Sequence, residues 1–236
     1  MSVPVVLALG GNLGDVRATG KSAISQLNET PGIVVEQVSR WYSTEPVGCE
    51  GRFLNAAARV QSELTPGQLL SRLLDIEARH GRVRTGHWTP RPLDMDLIAF
   101  GNWQVDHPRL RVPHPAAWYR RFVLDPVCEV AGSLEHPGLG QTFDALRSRL
   151  LVRPLTIFGG ESVRRDEELA QSIRHRFGSR VQWADSGERC TAAFVPLAMS
   201  SGGRFEIELP DDLAGARRVV LESLTAMLDE PCAVAT

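Results

Sequence analysis

The sequence predicts an α+β fold with a smaller α/β domain behind it, and three observations support this. Apolar, β-branched runs alternate with stretches of helical periodicity along the chain. A closing helix pattern, FDALRSRL at 143 to 150, is followed by a new strand-like run, PLTIFGG at 154 to 160. The chain has 236 residues, longer than a typical domain. Two domains, 1–150 and 151–236, are therefore expected, with a boundary near 151.

Each element has its own signal. VPVVLAL at 3 to 9 ends in Gly10 and Gly11, as a buried strand running into a turn does. Asp15 can cap a helix whose face is Val16, Ile24 and Leu27, until TPG at 30 to 32 breaks it. IVVEQVSRWYST (33 to 44) has the composition of one strand, and FLNAAARVQSEL (53 to 64) of another. Thr65 and Pro66 suit the N-cap and first position of a helix that buries Leu69, Leu70, Leu73, Leu74 and Ile76 and stops before Gly81.

RPLDMDLIAFG (91 to 101) reads as the next strand, and the Pro-, His- and Arg-rich segment from there to about 125 as loop. The second half reads as strand, helix (165 to 177), strands around 180–184, 192–198 and 204–209, and a helix over 212–229.

With 43% hydrophobic and 23% charged residues, the composition is that of an ordinary folded protein without a long apolar span. A net charge of -2 gives no global attraction to nucleic acid or an anionic membrane, so any phosphate affinity must be local. Cys49, Cys128, Cys190 and Cys232 are too scattered for a zinc site and read as free thiols in a reducing, cytoplasmic setting. MSVPVVLALGG lacks the charged start of an export signal and reads as a first strand.

The chemistry concentrates at 91–100. In a strand, Asp94 and Asp96 share one face while Leu93, Met95 and Leu97 face a core. Paired carboxylates suit Mg2+, which keeps several waters and is shared with substrate phosphates. Arg79, Arg82, Arg84 and Arg91 lie within thirteen residues, with His80, His87 and Trp88 among them. Guanidinium groups beside such a pair fit a polyphosphate ligand.

GDVRATGKS (14 to 22) imitates a phosphate-binding P-loop, but the spacing G-x-x-x-x-G-K-[ST] places Asp15 where a glycine is required. A capped helix with Lys21, the sole lysine, on its surface is the better reading. GGNLGD at 10 to 15 does not fit G-x-G-x-x-G, so its glycines point to a tight turn or the close approach of another segment. In FGGESVRRDEEL a glycine turn precedes two arginines, but a small α/β domain that packs or dimerises accounts for the second half more simply.

LALGGNLGD, YSTEPVG (42 to 48), FLNAA (53 to 57), EARHGRVR (77 to 84), RPLDMDLIAFG and VPHPAAWYRRFVLDPV (112 to 127) occur in this order. Together they resemble the 6-hydroxymethyl-7,8-dihydropterin pyrophosphokinase family over roughly residues 3 to 150. The resemblance implies a ferredoxin-like sandwich and, as activity, transfer of diphosphate from MgATP to the pterin hydroxymethyl group, releasing AMP. It implies two Mg2+ ions held by Asp94 and Asp96, with Arg82 and Arg91 neutralising the transferred group.

The same resemblance implies nucleotide contacts at Glu77, Arg82, Arg84, Trp88, Arg91, Leu97, Arg109, His114 and Arg120. For the pterin it implies Thr44, Val47, Phe53, Asn55, Trp88 and Phe122, with the loop 82 to 90 closing over bound substrates. The partners are then these two small molecules, with no nucleic acid or membrane, and the oligomeric state is left open. Two departures stand out: Thr85 where relatives often carry a basic residue, and a shortened stretch between Pro46 and Phe53. Competing readings are a non-catalytic pterin or nucleotide binder and a P-loop ATPase or kinase, which would form ADP and depend on Lys21.

Overall fold

The computed structural model describes residues 2–46, 51–82, 90–187, 190–196 and 205–234. The chain forms two compact units, Met1–Arg147 with Asp229–Thr236, and Ser148–Leu228. The first opens with β1 (Val3–Gly11) and α1 (Val16–Asn28). Asp15 caps α1, accepting the Ala18 N–H at 3.0 Å and so satisfying one of the helix's orphan donors.

The single strand expected over 33–44 is in fact two, β2 (Ile33–Val38) and β3 (Tyr42–Thr44), both antiparallel to β4 (Phe53–Ser62). A side chain makes the break: Ser39 Oγ accepts the Ala57 N–H at 2.8 Å, while the Ser39 N–H donates to the Ala57 carbonyl at 2.8 Å. One ladder bond is thus replaced by a hydroxyl contact, and the edge strand bends there.

Next come α2 (Pro66–Arg79) and β5 (Asp94–Phe100). Thr65 and Gln68 form a reciprocal capping box at the start of α2, with Pro66 at its first position. A hairpin of β6 (Val105–His107) and β7 (Leu110–Val112) follows, then α3 (Arg121–Ala131). The loop expected to about 125 therefore ends earlier. Pro126 gives the segment its loop-like composition and supplies no N–H to the helix. Burial of Val123, Leu124, Val127 and Val130 nevertheless holds α3 against β4 and β1. The pair β8 (Glu135–His136) and β9 (Gln141–Thr142) leads into α4 (Phe143–Leu151).

The second unit contains β10 (Leu155–Gly159), α5 (Glu161–Arg164), α6 (Glu167–Phe177), β11 (Val181–Trp183), β12 (Ala192–Pro196), β13 (Glu206–Leu209) and α7 (Leu213–Leu228). Its strands form a parallel sheet ordered β11-β10-β12-β13. The helix expected at 165–177 begins later because Asp166 caps α6 through the Leu169 N–H, at 3.0 Å. The same carboxylate takes both Nε (2.6 Å) and Nη2 (2.9 Å) of Arg217, tying α7 to α6.

The chain then returns to the first unit. β14 (Cys232–Ala233) pairs antiparallel with β3, giving the sheet order β14-β3-β4-β1-β5, with β2 also on β4. The compact units differ from the expected 1–150 and 151–236: the second, Ser148–Leu228, begins within α4 and ends before β14, which belongs to the first. On one face of the larger sheet, Val5, Leu7 and Leu9 of β1 pack with Ala23 and Leu27 of α1 and Leu69, Leu73 and Ile76 of α2. Cutting any of these leucines or Ile76 to alanine costs about 2–5 kcal/mol by the usual core rule.

Candidate active site

The opposite face carries the site, and strand register builds it. Paired residues of neighbouring strands share a face, so β4, β1 and β5 align Asn55, Gly10 and Asp94 in one row and Ala57, Ala8 and Asp96 in the next. The small central residues keep the floor low between the amide and the acids. A Cβ on Gly10 would lie 2.7 Å from Asn55 Oδ1, and one on Gly11 only 2.6 Å from the Pro92 carbonyl oxygen, so both glycines permit close approach. Leu93, Met95 and Leu97 point the other way, into the core, as strand alternation requires.

Above this floor lies a cavity of about 200 Å³. It brings together eight residues singled out in the sequence: Thr44, Phe53, Asn55, Arg91, Asp94, Asp96, Arg120 and Phe122. Ala8, Leu9, Gly10, Glu45 and Val123 also line it. Sequence reading missed these five as site residues; the glycine pair at 10 and 11 was the one available hint. Inside the cavity wall, buried Asn55 Nδ2 donates to Thr44 Oγ1 at 2.8 Å. The Arg91 guanidinium sits 5.8 Å from the Phe53 ring centre and that of Arg120 5.6 Å from Phe122. Each aromatic side of the cavity thus carries a cation.

Charge is arranged around Asp94. Arg91 Nη2 meets its Oδ2 at 2.8 Å, and Arg82 Nη1 donates both to its Oδ1 and to Glu77 Oε1. Glu77 is 2% exposed and also accepts the Met95 N–H at 2.7 Å, so it anchors Arg82 and β5 together from behind the site. Asn12 fixes Arg91 through the backbone: its N–H donates to the Arg91 carbonyl at 3.0 Å and its Oδ1 accepts the Arg91 N–H at 2.9 Å. The GGN turn therefore positions an arginine, a role not evident from its spacing.

Asp96 differs from its neighbour. Burial first, and then the charge of Asp94, push its carboxyl up to about 6, against the opposing pull of Arg120 and Arg82. Among the described residues no group of three or more His, Cys, Asp or Glu side chains converges as a metal cage. Two carboxylates on one polar face fit a hard cation that takes its remaining ligands from water and phosphate.

The remaining expected residues are placed less centrally. His114 packs beside β5, donating its N–H to the Ile98 carbonyl at 2.9 Å and accepting the Ala116 N–H on Nδ1 at 3.1 Å. Burial first, and then the charge of Arg120, lower its imidazole to about 4, leaving it neutral with its proton on Nε2. Arg109 is exposed next to β7, outside the cavity lining. With the Leu97 side chain in the core, any nucleotide contact there must come from main chain. Val47, Arg84 and Trp88, and with them Thr85 and most of the loop 82 to 90, lie outside the described residues.

The P-loop imitation has a packing explanation. Gly20 lies within α1, where a Cβ would meet the Trp41 ring at 2.4 Å, so the glycine seats an indole. Lys21 is exposed.

The family model described as 7,8-dihydro-6-hydroxymethylpterin-pyrophosphokinase (HPPK) matches residues 6–132. A 2-amino-4-hydroxy-6-hydroxymethyldihydropteridine pyrophosphokinase of Synechocystis is 41% identical over 138 residues, 58% of this chain and 71% of its own. The enzyme of the same name from Methylorubrum extorquens is 45% identical over 130 residues, 54% of this chain and 82% of its own. A solved Plasmodium falciparum HPPK-DHPS with pteroate aligns at a TM-score of 0.52 and 14% identity, a likeness of fold alone. That alignment covers 96% of this chain and 60% of the solved one.

Proposed function

The chain belongs to the 7,8-dihydro-6-hydroxymethylpterin-pyrophosphokinase family, and we infer that its first unit performs that family's reaction in folate biosynthesis. The pterin hydroxymethyl oxygen attacks the β-phosphorus of ATP, the bond from that phosphorus to the α–β bridging oxygen breaks, and AMP departs. The hydroxyl proton passes to water. The observation that carries this reading is the row Asn55–Gly10–Asp94, which sets an amide and a metal-type carboxylate across one cavity floor.

Asn55 and Thr44 meet the polar edge of the pterin, and Phe53 and Phe122 its faces. Asp94 and Asp96 hold two Mg2+ ions, which when bound neutralise the triphosphate. Arg82 and Arg91 bring positive charge to the transferred diphosphate, while Arg120 and the neutral His114 donate to nucleotide phosphates. Glu77 holds Arg82 in position. Arg84, Trp88, Val47, Arg109 and the Leu97 main chain complete the substrate contacts by family resemblance. Positioning and charge neutralisation then supply the catalysis, as in phosphoryl transfer generally.

The reading includes a ferredoxin-like sandwich for the first unit, supported by the antiparallel sheet with α1 and α2 on one face and α3 on the other. It also includes a cytoplasmic location, supported by free thiols at Cys128, Cys190 and Cys232. Among the described residues no helix is long and apolar enough to cross a membrane. Incubation with MgATP and 6-hydroxymethyl-7,8-dihydropterin should yield AMP, and Asp94→Ala or Asp96→Ala should abolish it. ADP as the product would refute the reading.

A further inference from the structure

We propose that the returning segment Asp229–Val234 is a positioning element for the pterin pocket, holding the main chain on both sides of Thr44. The proposal rests on the reading of that cavity as the pterin site. On one side of Thr44, Ser43 pairs with Cys232 and Tyr42 with Ala233, and the Val234 N–H donates to the Trp41 carbonyl at 2.8 Å. On the other side, the buried Asp229 carboxylate lies beside the main-chain N–H groups of Glu45, which lines the cavity, and of Glu230.

β3 is three residues long and pairs with β4 along its other edge. Without β14 its outer edge would be open, and so short a strand held on one side frays readily. Thr44 cannot shift alone, because its Oγ1 accepts the Asn55 amide and both side chains are buried. Movement of β3 would therefore release the amide that faces the pterin. Asp229 itself is 7% exposed, and its Oδ2 has no hydrogen-bond partner among the described residues. Burial outweighs the opposing pull of the neighbouring N–H groups on that carboxylate, so its place beside Glu45 is held by the fold rather than by solvent.

The test uses the full chain with three variants: Asp229→Ala, Asp229→Asn, which keeps an acceptor for the Glu45 N–H, and Val234→Pro, which removes the donor to Trp41. AMP formation is measured while the pterin and ATP are varied separately, together with each variant's Tm. Asp229→Ala and Val234→Pro should raise the pterin KM about three- to tenfold, the size expected for loss of an intramolecular hydrogen bond. The ATP KM and kcat should change less than about twofold, and Asp229→Asn should restore most of the pterin KM.

An unchanged pterin KM in folded Asp229→Ala and Val234→Pro overturns the proposal. So does a parallel change in both KM values and kcat. If Asp229→Ala does not fold, Val234→Pro, which alters a single peripheral hydrogen bond, decides alone. Failure of the unaltered protein to form AMP would instead refute the functional reading.

Discussion

Arg91 Nη2 lies 2.8 Å from Asp94 Oδ2, so a guanidinium already occupies one oxygen of the carboxylate assigned to metal. If Asp94 holds a cation as proposed, Arg91 would be free to turn to the transferred diphosphate. Arg91→Ala should lower kcat about 100-fold or more, as removing one transition-state donor does. It should lower Tm only slightly, because the Asn12 contacts are to the Arg91 main chain and survive the substitution, and Asp94 keeps Arg82. Rate assays and a thermal melt check both.

Glu77 behaves oppositely. Buried, and shared between Arg82 and the Met95 N–H, it should cost about 1–3 kcal/mol in stability when cut to alanine, because the Met95 N–H loses its acceptor while Arg82 keeps Asp94. Urea unfolding measures this. A loss of activity with unchanged stability would mean that Glu77 acts on the nucleotide directly.

Gly20 and Lys21 separate packing from phosphate binding. Gly20→Ala should destabilise by about 1–3 kcal/mol through overpacking against Trp41, despite alanine's better helix propensity. Lys21→Ala should change stability by no more than about 0.5 kcal/mol and leave AMP formation intact. Loss of activity in Lys21→Ala would revive the P-loop reading.

Two groups give pH dependences of opposite sign. Asp96, raised to about 6 by burial and Asp94, binds its proton more tightly folded than unfolded. Its contribution to metal-free stability is present below its unfolded value of about 3.9 and is lost as pH rises through about 6. Asp96→Asn should accordingly stabilise the metal-free protein above pH 6.

His136, lowered to about 4 by burial, has no hydrogen-bond partner on either ring nitrogen among the described residues and packs edge-on to Phe143. Its contribution is present above about 6.5 and is lost as pH falls toward 4. His136→Phe should flatten that acid limb, as followed by chemical denaturation across pH.

What the sequence revealed was mostly local. Asp15, the Thr65–Pro66 start and the alternation through Asp94, Met95 and Asp96 are decided within a few residues, and each appears where its pattern placed it. What it hid depends on distant partners. The break after Val38 needs Ala57, the purpose of Gly20 needs Trp41, and the role of Asn12 needs Arg91. Pro126 misled because tertiary burial outweighs one missing hydrogen bond. Cys232–Ala233 is too short to announce a strand.

The insertion of the second unit ahead of β14 also fixes an order of events during translation. Domains generally fold from the N-terminus as the chain emerges, at about 5–20 residues per second. β14 leaves the ribosome only after the entire second unit. The nascent first unit must therefore wait with the outer edge of β3 uncovered, and a ribosome stalled within residues 148–228 would leave a kinase fold lacking that strand.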